Sequence, residues 1–309
     1  MSGAPILAVG ANPAWQKSLF FAELRPGEVN RATGGDEYPA GKGVNFCRAA
    51  ICCGGRAVRL FQFTGGNSGE QLKQALCEEG IDAVSVETPV ETRCCITCLD
   101  QRHNSMTELI EPTGALSPEI GRLLLQKLET ALPGAAGIAV VGTRPPGLGP
   151  EFCAEIARLA ETAGIPLLID TFSELAPLLE ADCDKYLKIN VEELRILTGI
   201  EAVPAALNRI ADRHPRLTVA ITGGSGEAYL LHGETLLCFC PPRVAAVASP
   251  LGCGDTASAV FFIGILDGLP PEEAFHRALA AASANCLTPR AGCFRQEAFE
   301  SLLPQVRRV

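Results

Sequence analysis

Short apolar runs alternate along this chain with segments whose apolar residues recur every three or four positions. The runs ILAVGA (6–11), VRLFQF (58–63), GIAVVG (137–142), IPLLID (165–170), YLKIN (186–190) and LTVAIT (217–222) predict strands, and GEAYLL and ETLLCFC follow them closely. Between them, residues 44–55, 68–80, 116–132, 150–164, 191–199, 254–267 and 271–285 predict helices. Gly80 stops one of these, and Ser117 followed by Pro118 opens another as N-cap and first turn. Near-continuous apolar strands alternating with helices predict an α/β fold, with a mostly parallel central sheet covered by helices on both faces. Residues 12–40 and 92–111 break the rhythm. Both are extended, partly alternating and poor in helix signals, and both follow strands. Together they predict a small β-sheet lid projecting from one edge of the large sheet. No repeat or linker divides the chain, so residues 1–309 are expected to form one domain.

Composition narrows the partners. Hydrophobic residues make up 47% and charged residues 20%, the balance of a globular protein. A net charge of −9 repels a phosphate backbone, which argues against nucleic acid while leaving room for a basic pocket that draws in a small anion. No apolar run approaches membrane-spanning length, and MSGAPILAVGA reads as a first strand rather than a secretion signal, so a cytoplasmic location without membrane contact is expected. Fourteen cysteines in that setting are expected to be free thiols. The single CxxC, Cys95 and Cys98, lies in the strand-like TRCCITCLD, where residues three apart face opposite sides. Small buried apolar residues explain it better than a metal site.

Ligands of parallel α/β sheets bind at the carboxyl ends of the strands, so the loops there are where chemistry is sought. In ASPLGCGD the N–H groups of Gly252, Cys253 and Gly254 open a helix and make an anion hole, with Asp255 beside it as a base for an attacking hydroxyl. An N-capping Asp after a tight glycine turn explains the same residues. PAGKGVN (39–45) is not a phosphate loop of the Walker type, because Gly43 follows Lys42 where Ser or Thr is required. It is a glycine turn opening a helix, whose Lys42 and Asn45 either hold a ligand or face solvent. In KINVEE (188–193) Asn190 and Glu193 suit a hydrated magnesium ion, and equally a helix capping box. ITGGSGEAYL (221–230) brings backbone close to a flat ligand, or is a plain hairpin.

The order PAGKGVN, KINVEE, ITGGSGEAYL, LGCGDTASA resembles the ribokinase-like carbohydrate kinases of the phosphofructokinase-B type over almost the whole chain. NPAWQ (12–16), GGNSGEQL (65–72), EPTG (111–114) and GTRPPG (142–147) are most similar to the branch of 1-phosphofructokinase and tagatose-6-phosphate kinase. The resemblance implies ATP-dependent phosphorylation of a sugar or sugar phosphate with Mg2+, and leaves a monovalent cation open. It puts Asp255 at the base position and Gly252, Cys253 and Gly254 in the anion hole. Lys188, Asn190, Glu193, Thr222, Gly224, Gly226 and Asn285 fall on the nucleotide side, with Asn190 and Glu193 holding the metal through water. Asn12, Gln16, Gly41, Lys42, Asn45, Arg93 and Arg144 fall on the acceptor side. The lid implies a homodimer. Two residues depart from the family: Gln16 stands where Asp is usual, and Arg144 where Leu is usual. Lys42 and Arg93 favour an acceptor that carries phosphate. A kinase of an unphosphorylated sugar, nucleoside or related alcohol is the alternative, and a non-catalytic binder a third reading.

Overall fold

The computed structural model of the chain describes residues 3–214 and 216–309. In chain order, β1 (Ile6–Val9) leads to β2 (Ala14–Phe21), β3 (Gly34–Ala40), α1 (Lys42–Cys53), β4 (Val58–Thr64), α2 (Gly66–Glu78) and β5 (Asp82–Glu87). Then come β6 (Cys94–Asp100), β7 (Ser105–Ile110), α3 (Pro118–Ala131), β8 (Gly137–Val141), α4 (Pro150–Ala163), β9 (Leu167–Asp170) and α5 (Ala176–Leu179). The second half runs β10 (Lys185–Asn190), α6 (Val191–Thr198), α7 (Val203–Ala211), β11 (Leu217–Thr222), β12 (Ala228–His232) and β13 (Thr235–Cys240). It closes with α8 (Cys253–Leu266), α9 (Pro271–Asn285), α10 (Gln296–Leu302) and β14 (Arg307–Arg308).

Among the described residues the large sheet has the order β14-β13-β12-β11-β10-β9-β8-β1-β4-β5. From β11 to β5 every pairing is parallel, whereas β12, β13 and β14 add antiparallel. The two-residue period of the strands sorts the core into two layers. Leu7 and Val9 face a cluster with Leu124 of α3, Ile156 of α4, Leu194 of α6 and Leu207 of α7. Ile6 and Ala8 face the opposite cluster, with Phe46 of α1, Phe261 of α8 and Phe275 of α9. Helix α8 is buried along nearly its whole length between the sheet and α9, which is why AVFFIGIL carries no polar face.

A separate sheet of order β3-β2-β6-β7 forms from the two irregular stretches. Both leave the large sheet at its carboxyl edge, as the sequence suggested: the first follows β1 and the second β5, and both strands run parallel to β4 between them. Parallel pairing of β2 with β6 joins them. The sequence reading passed over α7 and α10. The apolar positions 203, 206, 207 and 210 of α7 carry the helical spacing, but over only nine residues. Ser117 does hold the N-cap position of α3, yet its hydroxyl makes no capping bond.

Candidate active site

The carboxyl ends of β10 and β11, the amino ends of α1 and α8, and the small sheet surround one cavity of 790 Å³. That is the size of a site for a small organic ligand. Gly252, Cys253, Gly254, Asp255, Lys188, Asn190, Glu193, Thr222, Gly224, Gln16, Gly41, Lys42, Asn45 and Arg93 all line it. Residues as far apart in sequence as Gln16 and Asp255 therefore converge on one space.

The turn before α8 is dictated by sterics. Gly252 has φ +74°, and a Cβ there would stand 2.5 Å from the Gly292 nitrogen. Only glycine allows this turn to lie against the 291–292 loop. The chain then enters α8, whose first N–H groups have no partner along the helix; that of Cys253 makes only a long bond of 3.5 Å to Pro250 O. Asp255 sits in the first turn with its side chain buried. Its Oδ2 accepts a hydrogen bond of 2.7 Å from Asn45 Nδ2 of α1. Burial raises the Asp255 pKa above the usual carboxylate range, and the negative charge of Asp170 adds to that. Lys42 opposes the shift, as do the Asn45 hydrogen bond and Lys188.

A buried charge cluster lies behind this turn. Asp170, the last residue of β9, is wholly buried. Its Oδ1 accepts from Lys42 Nζ at 2.8 Å, and its Oδ2 from Ser258 Oγ at 2.5 Å, with Lys188 Nζ 3.5 Å away. Burial pushes the Asp170 carboxyl up, but the two ammonium groups outweigh burial and hold its pKa down at about 2. Lys42 is also 3.7 Å from Glu193 Oε1. Burial works against its charge, yet Asp170, Asp255 and Glu193 together raise its pKa. Lys188 abuts Gly254, where a Cβ would come within 3.0 Å of Nζ. A fixed cation thus stands beside the amino end of α8, and the pair of them favours an anion.

Sequence reasoning passed over Asp170. Its one signal was a carboxylate ending an apolar parallel strand, IPLLID, at the end where ligands bind. Asn190 and Glu193 form a complete capping box: Glu193 N donates to Asn190 Oδ1 and Asn190 N donates to Glu193 Oε2, both at 2.8 Å. The capping interpretation of KINVEE therefore holds, and Glu193 still turns its other oxygen toward Lys42. The turn of ITGGSGEAYL is a hairpin joining β11 to β12, and Gly224, at φ +63°, reaches the cavity.

Four expected residues lie elsewhere. Asn285 is wholly buried behind the glycine turn, where its amide donates to Leu251 O at 2.8 Å and accepts from Thr256 Oγ1, so it braces the turn instead of bordering a ligand. Arg144 ion-pairs with Glu174 and lines a different, smaller recess. The carboxylate of Glu174 turns it away from the main cavity. Gly226 closes its turn by donating to Gly223 O and does not reach the cavity. Asn12 is held between Thr143 and Thr113 in a recess that it shares with Arg93. Gln16 is buried and donates to Thr97 Oγ1 at 2.8 Å, so its amide nitrogen is committed and its oxygen is the group left for a ligand.

Comparison with known proteins shows the family and the fold. The model of the pfkB family carbohydrate kinases matches residues 11–296. An ATP-dependent 6-phosphofructokinase isozyme 2 of Mycobacterium tuberculosis is 26% identical over 298 residues, covering 94% of this chain and 87% of that protein. A 1-phosphofructokinase of Rhodobacter capsulatus is 28% identical over 260 residues, covering 82% and 81%. The fold matches phosphofructokinase-2 of Escherichia coli, solved in complex with potassium, with a TM-score of 0.87 at 22% identity, over 98% of this chain and 99% of that one. It matches a possible 1-phosphofructokinase of Thermotoga maritima with a TM-score of 0.88 at 20% identity, over 99% of both chains.

Proposed function

The chain belongs to the pfkB family of carbohydrate kinases, and from that premise we propose that it transfers the γ-phosphoryl group of ATP to a hydroxyl of a sugar phosphate of the fructose 1-phosphate, tagatose 6-phosphate or fructose 6-phosphate type, with Asp255 as general base. The observation that carries this reading is the setting of Asp255. A carboxylate whose pKa burial has raised is a stronger base than one in water, and this one adjoins the amide-lined turn that opens α8. Asn45 occupies Oδ2 and fixes the carboxylate, leaving Oδ1 to take the proton of the attacking hydroxyl.

The remaining residues divide by charge. The N–H groups of Gly252, Cys253 and Gly254, with Lys188 beside them, receive the migrating phosphoryl group. Thr222 and Gly224 on one wall suit the nucleotide. Among the described residues no three His, Cys, Asp or Glu side chains gather into a metal cage. Glu193 offers a single carboxylate, which suits Mg2+ held chiefly by nucleotide phosphates and water, with Asn190 and Glu193 contacting its hydration shell. When bound, the ion would neutralise charge on the transferring phosphates.

Arg93 supports an acceptor that carries phosphate. It lines the cavity, its Nε is buried without a partner, and Nη2 makes only a 3.4 Å bond to Asn12 O. A phosphate would satisfy these donors. Gln16 presents one acceptor oxygen to a sugar hydroxyl. The small sheet acts as a lid over the acceptor, with Met106, Glu108 and Ile110 of β7 toward the cavity, and a second copy packs on its other face, where Leu109 is exposed. A monovalent cation is carried over from the potassium complex of the Escherichia coli neighbour. Fourteen unbonded cysteines suit a reducing, cytoplasmic setting. No helix among the described residues is long and apolar enough to cross a membrane.

The test is an ATP-coupled assay against a panel of sugar phosphates and their unphosphorylated counterparts, in potassium and in sodium buffer. Turnover confined to phosphorylated acceptors is expected. Turnover of neutral sugars alone would reject the acceptor assignment, and ATP binding without transfer to any member would reject the kinase reading.

A further inference from the structure

We propose that Cys253 and Cys286 form a reversible disulfide that switches off phosphoryl transfer. The functional half of this inference rests on the kinase reading above, and its chemical half stands alone. Their sulfurs are 3.1 Å apart, and both residues line the active-site cavity, half-buried and within reach of a small oxidant. Cys253 is the first residue of α8 and Cys286 the C-cap of α9, so the pair joins the amino end of one helix to the carboxyl end of the next. Asn285 donates to Cys253 Sγ at 3.2 Å as well as to Leu251 O, which holds the sulfur toward its partner.

The two thiols are electronically unlike. A hydrogen bond from Cys253 favours the thiolate of Cys286 and lowers its pKa, while that same contact, burial and the nearby Asp255 raise the pKa of Cys253. Cys286 is therefore the nucleophile. With hydrogen peroxide, its thiolate attacks one oxygen to give a sulfenic acid and release hydroxide. Cys253 then attacks the sulfenic sulfur, losing its proton and expelling a second hydroxide. Two thiols lose two electrons, peroxide gains them, and two waters result once the protons are counted. An external dithiol reverses the step by thiol exchange.

Inactivation follows from where Cys253 sits. Its backbone N–H belongs to the turn assigned to the phosphoryl group. Bond formation draws the two sulfurs about 1 Å closer. Gly252 cannot absorb this freely, because it is packed against Ala291 and Gly292. A displacement of about 1 Å at a group that positions the reacting atoms lowers turnover on the order of 100-fold.

The experiment treats the full chain with stoichiometric hydrogen peroxide, then measures phosphoryl transfer and maps peptides by mass spectrometry without reduction. Each variant is scored against its own reduced rate. The wild type is expected to lose on the order of 100-fold, to yield a linked Cys253–Cys286 peptide, and to recover with dithiothreitol. Cys286→Ala and Cys253→Ala are each expected to keep their own reduced rate after peroxide. Cys52→Ala, which leaves this pair intact, is expected to be inactivated like the wild type. Absence of the linked peptide overturns the chemical proposal whether or not a kinase activity has been found. A linked peptide with undiminished turnover overturns the switch, and so does equal inactivation of Cys286→Ala.

Discussion

Asp170→Asn tests the charge cluster behind the active site. The carboxylate is wholly buried, bonded to Lys42 Nζ at 2.8 Å and Ser258 Oγ at 2.5 Å, with Lys188 Nζ at 3.5 Å. Neutralising it leaves two ammonium groups side by side. Lys188 is 3% exposed, whereas Lys42 is 34% exposed and relaxes outward. Removing one partner of a buried pair costs about 3–5 kcal/mol, and the freedom of Lys42 puts this case at about 3 kcal/mol. A chain of 309 residues unfolds with an entropy of about 0.65 kcal/mol per kelvin, so Tm should fall by about 5 °C at pH 7. The pH dependence has a definite sign. The folded pKa of Asp170 is about 2, below the roughly 3.9 of an unfolded aspartate. Its contribution is therefore complete above pH ~4 and is lost as pH falls from ~4 toward ~2. Thermal unfolding of wild type and variant followed by circular dichroism at pH 7, 5 and 3.5 measures this. A constant gap from pH 7 to 5 that narrows at pH 3.5 is expected. A Tm change of less than about 1 °C at pH 7, or a gap that widens in acid, would refute the argument.

Asp255→Asn should behave in the opposite way. Because burial and Asp170 raise its pKa, the ionised form weighs against folding at neutral pH; the variant should keep or gain Tm while losing about 10²–10⁴-fold in kcat, and a variant of unchanged kcat would exclude Asp255 as base. In the wild type, log kcat/KM should climb with pH until Asp255 ionises, and level off at a pH above the usual carboxylate range; a plateau reached already at pH 4 would contradict the raised pKa. Arg93→Ala should raise KM for a phosphorylated acceptor by about 10–100-fold with little effect on KM for ATP. Arg144→Ala should leave both KM values within about threefold, since its guanidinium is held by Glu174 outside the cavity.

Much of the site was legible because its parts are local. The capping box of Asn190 and Glu193 is set by neighbours within a few residues, and the left-handed turn at Gly252 is marked by the residue type itself. Their order along the chain was enough to point to the pfkB family. Side-chain direction was less legible. Arg144 was expected in the acceptor pocket, but the charge of Glu174, thirty positions away, decides where it points. Asn285 was expected beside the nucleotide, but Thr256, Leu251 and Cys253 occupy its amide. Asp170 was overlooked because nothing near it in sequence is basic.

The sequence by itself determined the alternation of strand and helix, the two-sided burial of the parallel strands, and the left-handed glycine turn before α8. These follow from periodicity and backbone sterics, which act over a few residues. Only the tertiary structure decided which charges meet. Lys42 and Asp170 are 128 positions apart, Asn45 and Asp255 are 210 apart, and Cys253 meets Cys286 only because α8 packs on α9. Electrostatic and thiol chemistry depends on separations of a few ångströms, and a folded sheet with helices on both sides is what brings those groups that close.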